Sequence, residues 1–122
     1  MNLVVVRLFK HPKDTSRKFR FAVILGMVNG RLAIAPCTSY PTRTGCVPEG
    51  SSLITKDSPA YATSGFKVER VAISIRDAGL YSIDSDCVRQ CEQAGFINLT
   101  LDKHLAANMK ELMIRYQLPT YS

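Results

Sequence analysis

The sequence predicts a small, mainly β domain with one C-terminal helix. Three observations carry that expectation. Short runs rich in Val, Ile and Phe alternate with clusters of Gly, Pro and Ser. An Asn29-Gly30 pair joins two of those runs, and a helical apolar stripe appears only near the end of the chain. Strands at this spacing, with turn residues between them, belong to a small barrel or sandwich.

Asn2 to Leu8 (NLVVVRL) reads as the first strand, because Val favours a pleated, half-buried surface. A proline-broken polar loop follows and leads to Arg20. From Lys10 to Arg20 it holds five basic residues, with Asp14 the one acid. Such a loop gathers phosphates, or simply stays solvated.

Arg20 to Ser39 (RFAVILGMVNGRLAIAPCTS) is the hairpin around which the chain is organised. Asn-Gly tolerates the two positive φ angles of a type I′ turn, so it marks a tight connection between flanking strands. Phe21 to Val28 is almost continuously apolar, as in a strand buried on both faces. The returning strand, Arg31 to Ala35, is broken at Pro36, which has no N–H to donate to a ladder, so the strand is expected to end or to reach an edge there. Antiparallel strands closed by a tight turn bring their outer ends together. Arg20 is therefore expected beside Thr38 and Ser39, placing a cation and two hydroxyls at one sheet rim.

Tyr40 to Gly50 is a long connection carrying Tyr40 and Arg43, residue types that stack on and pair with a single-stranded nucleic acid. Ser52 to Thr55 is a short strand, and Lys56 to Pro59 a turn by composition. Phe66 to Ile75 (FKVERVAISI) reads as a strand in which Val71, Ile73 and Ile75 alternate with Ala72 and Ser74. Phe66 and Val68 have the opposite parity, so a bulge is expected near Glu69-Arg70. Leu80 to Ile83 completes five or six strands, and residues 1–83 form the barrel part.

Residues 84–122 are expected to be helical and packed on those strands. Asp84, Ser85 and Asp86 offer caps for a short turn through Cys91. Asp102 or Thr100 caps a helix from Lys103 to Gln117, stopped by Pro119. Leu101, Leu105, Met109, Leu112, Met113 and Tyr116 fall at helical spacing and give it one apolar stripe.

At 122 residues and 46% hydrophobic the chain supports one domain with a single core. No run approaches the roughly 18 apolar residues of a membrane helix. No basic segment and cleavage site frame the N-terminal apolar run, so a cytoplasmic protein is expected. Cys87 and Cys91 lie four apart, but Cys37 and Cys46 are nine apart and His11 and His104 are isolated. A structural zinc site needs two tight ligand pairs, so free thiols are expected and no metal.

The net charge of +6 is uneven. Residues 1–76 carry twelve Lys/Arg against four Asp/Glu, and residues 77–122 four against six. The β-rich part is the basic part, which points to an anionic partner, nucleic acid first, or to a basic surface that only confers solubility. No phosphate-binding glycine loop, GxSxG elbow or HExxH motif occurs. What remains is a cationic rim: Arg20, Thr38, Ser39, the basic loop with His11 and Lys18, and Lys67 with Glu69. Such a set holds a phosphodiester, stabilises charge growing on it and supplies a carboxylate base. RNA itself brings the nucleophile, its 2′-hydroxyl.

The first strand, the polar loop, RFAVILG and a second strand ending in AP-x-TS together resemble the PemK/MazF toxins. The later GF-x-V-x-R-x-AISI run and the terminal helix fall where that family has its last strands and helix. The resemblance implies an SH3-like barrel of five to seven strands and a metal-independent endoribonuclease acting on single-stranded RNA. It also implies a homodimer and a small acidic antitoxin as partner. Arg20 matches the family's arginine, and Thr38 and Ser39 its RNA-contacting pair. Asp14, with His11 nearby, matches a base carried in the first loop, and Lys67-Val68-Glu69 matches a basic-x-acidic pair. Phe21 stands where the family has proline after its arginine, and Lys67 where arginine is typical. The alternative is a non-catalytic barrel that binds nucleic acid or an acidic protein, such as a phage or plasmid inhibitor.

Overall fold

In a computed structural model, described here for residues 1–9, 19–39 and 47–121, the chain forms one sheet of eight strands and a C-terminal helix. The expected basic loop and much of the long connection lie outside the described residues. β1 (Asn2–Leu8), β2 (Arg20–Val28) and β3 (Arg31–Ser39) make an antiparallel meander in which Val5 faces Val23, and Val23 faces Ala35. Asn29 and Gly30 take φ of 51° and 78°, the two positive angles expected of the turn.

β3 does not end at Pro36 but runs through it, and of the two outcomes expected there it is the edge that occurs, on one flank only. The reason is a change of partner. Residues 31–34 of β3 pair with β6 (Gly79–Ser82), and residues 37–39 pair with β5 (Arg70–Ser74). Pro36 falls in the interval between them, where the ladder on that flank asks for no donor. β4 (Ser51–Thr55) extends β5, while β7 (Glu92–Asn98) lies on the other side of β1. β8 (Thr120–Tyr121) adds to β6 in parallel.

Two differences from the sequence reading concern where strands lie. β7 falls in the part expected to be helical. Its sequence, EQAGFIN, has weak alternation, and pairing with β1 overrides that weak propensity. The strand expected from Phe66 begins only at Arg70, with Lys67, Val68 and Glu69 in a bend. The parity conflict is relieved by leaving the strand rather than by bulging within it.

The near-continuous apolar runs have a direct cause: the centre of the sheet is covered on both faces. Val5, Val23, Ala35, Ile73 and Ile97 join one core cluster, which includes Leu105, Met109 and Leu112 of the helix α2 (Lys103–Arg115). Their chain neighbours Val6 and Ala22 join the other, with Leu8, Ile34, Tyr81 and Cys87. Cys87 arrives on the short helix α1 (Asp86–Arg89), a remnant of the expected turn through Cys91. At roughly 1.5–3 kcal/mol per buried aliphatic side chain, the three α2 residues suffice to dock the helix. Leu101 and Met113, expected in the same stripe, are exposed.

β4 and β7 end the sheet and do not pair with one another. The connection from β4 to β5 crosses to the free edge of β7 instead. There Thr63 accepts a hydrogen bond from Phe96 N (2.9 Å), and its own hydroxyl donates to Phe96 O (2.9 Å). This connection acts as a strap that curls the sheet. Gly95 permits the approach, because a Cβ there would run into the backbone of Thr63 and Ser64. No helix among the described residues is long and apolar enough to cross a membrane.

Candidate functional site

Arg20 opens β2 and Thr38 lies near the end of β3. The register that pairs Ala22 with Pro36, continued two residues outward, sets them opposite each other. Arg20 Nη2 donates to Thr38 Oγ1 at 3.1 Å, and Nε to Cys37 O at 3.5 Å. The guanidinium is thereby held at the mouth of a small cavity of about 150 Å³, lined also by Ser39, Lys67, Phe19 and Phe66. The hairpin supplies one wall and the strap the other.

The strap wall is itself positioned. Tyr61 closes a 3-10 turn at Pro59–Tyr61, and its hydroxyl is shared between the carbonyls of Phe66 (3.3 Å) and Val68. Those carbonyls bracket Lys67, so Tyr61 sets the bend that places Lys67 in the cavity wall.

Electrostatically the cavity favours an anion. Two cations and two hydroxyls line it, and no carboxylate does so among the described residues. Its volume is well below the ~300 Å³ at which pockets enclose drug-sized ligands, and leaves room for one compact group about the size of a phosphate. Cys37 beneath Arg20 is no nucleophile. Burial pushes its thiol far above the ordinary range, and the opposing pull of Arg20 is smaller.

Of the residues expected at the site, the structure brings together Arg20, Thr38, Ser39 and Lys67. Glu69 is not among them. It lies beyond the bend and pairs with Lys56 at 3.0 Å, both side chains exposed, and raises the Lys56 pKa chiefly through that hydrogen bond. Asp14, His11, Lys18 and Arg43 lie outside the described residues. His104 is exposed in the first turn of α2. Cys87 and Cys91 are free, and no three metal-ligating side chains meet among the described residues.

Sequence reasoning missed Phe19, Phe66 and Tyr61. Phe19 had a signal, an aromatic beside the candidate arginine, whereas the role of Tyr61 depends on a strap that no local pattern announces. Compared with models of known protein families, with curated proteins and with solved structures, the chain finds no match.

Proposed function

We propose that the chain is a metal-independent endoribonuclease of the PemK/MazF kind, an SH3-like barrel that holds single-stranded RNA at the Arg20 rim. The observation that carries this reading is the Arg20–Thr38 contact at 3.1 Å inside a cavity shared with Ser39 and Lys67. In the reaction a carboxylate takes the proton of the 2′-hydroxyl, and the freed oxygen attacks the adjacent phosphorus. The P–O5′ bond then breaks, leaving a 2′,3′-cyclic phosphate, and the departing 5′-oxygen takes up a proton. Arg20 and Lys67 stabilise the negative charge that grows on the phosphoryl oxygens, while Thr38 and Ser39 position them. Asp14 and Glu69 are the two carboxylates available as base. Both side chains of the Lys56–Glu69 pair are exposed, so exchanging Lys56 for a substrate hydroxyl costs little. In this reading the protein acts in the cytoplasm as a homodimer, and a small acidic antitoxin neutralises it.

A second reading, a barrel that binds RNA or an acidic protein without cutting, is favoured by one observation. The described lining of the cavity supplies cations and hydroxyls but no base, and Glu69 is engaged elsewhere. One experiment separates the two. Purified protein is incubated with a long single-stranded RNA with and without EDTA, beside Arg20→Ala. Fragments that survive EDTA and vanish in Arg20→Ala are expected. Full activity in that variant overturns the assignment, and intact RNA with salt-dependent binding selects the second reading.

A further inference from the structure

The anion-holding cavity has an aromatic side that the proposed chemistry does not use. Phe19, immediately before Arg20, lines the same cavity and remains 39% exposed. Its ring is not loose. Phe9 lies 6.1 Å away, and Phe21 meets it edge-on at 5.3 Å. Phe21 is edge-on to Phe66 at 5.7 Å, and Phe66 lies 6.2 Å from Tyr61. Phe66 is buried in the core and Phe21 packs against it, so Phe19 is the one exposed member of a row of rings anchored in the protein. A ring held this way loses little freedom when something settles on it. A large apolar side chain exposed beside a fixed guanidinium suits a ligand that is anionic at one point and flat and apolar close by.

We propose that Phe19 is a base-stacking subsite: the nucleotide whose phosphate Arg20 and Thr38 hold lays its base, or that of its neighbour, against the Phe19 ring. This inference rests on reading the rim as a phosphodiester site. The cavity, at about 150 Å³, has room for the phosphate but not for a whole nucleotide, which leaves the base outside it where Phe19 is exposed. Every base has a π-face, so this contact supplies affinity and register along the strand rather than choice of sequence.

The test uses the full chain and two non-cleavable probes of equal length. One is a fluorescein-labelled 2′-O-methyl hexauridylate, and the other its abasic sugar-phosphate counterpart. Fluorescence anisotropy at fixed salt is expected to show the base-bearing probe bound more tightly. Phe19→Leu should weaken that probe about tenfold, a typical stacking loss on this scale, and leave the abasic probe unchanged. Arg20→Ala should weaken both. The chain contains no tryptophan, so Phe19→Trp adds a single reporter. Its emission, read with unlabelled probes, should be quenched by the base-bearing one and not by the abasic one, a readout independent of how well Phe19→Leu folds. Equal binding of the two probes, or unquenched emission with the base-bearing probe bound, overturns the subsite and leaves the phosphate rim standing. Binding of neither probe overturns the rim reading and the subsite with it.

Discussion

Replacing Gly95 with alanine should be among the most destabilising single-methyl additions in this protein. The strap crosses β7 so closely that the new Cβ would meet the Thr63 carbonyl and the Ser64 backbone. These are main-chain atoms and have no rotamer with which to move aside. The strap must lift, and two hydrogen bonds then go, Phe96 N to Thr63 O and Thr63 Oγ1 to Phe96 O. At about 1 kcal/mol net for each bond, and about 1–3 kcal/mol for overpacking, the loss comes to about 3–5 kcal/mol. For a domain of this size that lowers Tm by roughly 12–20 °C, at about 4 °C per kcal/mol. Thermal and urea unfolding followed by circular dichroism measure it. Gly30→Ala is the matched control: its Cβ meets open space, and only its φ of +78° opposes a side chain, at roughly 1–2 kcal/mol. A Gly95→Ala variant that loses less than Gly30→Ala refutes the account of the strap.

Two further predictions follow from groups near the strap and the helix. Asp102 caps α2 by accepting from Leu105 N at 2.9 Å and from the Ser58 hydroxyl at 2.6 Å, and that hydroxyl is the main reason its pKa lies below the ordinary 3.8. A carboxylate with a depressed folded pKa stabilises above its unfolded value and ceases to do so as pH falls through the folded one. The Tm difference between the natural chain and Asp102→Asn should therefore be constant above about pH 5 and shift as the pH falls below 3.8; a difference that does not change with pH shows the charge to be irrelevant. Glu69→Gln tests the base directly. If Glu69 takes the 2′-hydroxyl proton, cleavage falls about 10²–10⁴-fold with RNA binding unchanged, whereas undiminished cleavage assigns the role to Asp14.

How much of this was legible in the sequence depended on how local its cause is. The Asn29-Gly30 turn needs only two residues with positive φ, and an antiparallel pairing then brings Arg20 to the Thr38-Ser39 end of the hairpin; that much reads directly from the chain. That Arg20 meets Thr38 rather than Ser39 depends on a one-residue register shift between Ile24 and Gly26, which the sequence does not announce. Pro36 marks a local edge, as its missing N–H requires, but that β3 continues past it depends on the exchange of β6 for β5 at that point, and both partners lie more than thirty residues further along the chain. β7 was invisible for a related reason: Glu92, Gln93 and Gly95 carry no strand preference, and β1 recruits them by offering an unpaired edge. Lys67 was found from its spacing to Glu69, but the bend separates the two, one at the cavity and the other on Lys56.

The cavity thus joins a local half to a long-range half, and the halves should respond differently to damage. Arg20, Thr38 and Ser39 belong to one hairpin, whose geometry survives as long as the turn and the Val23–Ala35 pairing do. Phe66 and Lys67 belong to the strap, held by Tyr61, by Thr63 and by the space left at Gly95. Loosening the strap removes the Lys67 ammonium and the aromatic backing of Phe21 while leaving the Arg20–Thr38 contact in place. A strap variant that still folds should keep some phosphate affinity and lose the preference for base-bearing RNA. In the proposed reading Arg20 and Thr38 hold the anion, so a hairpin variant should lose both.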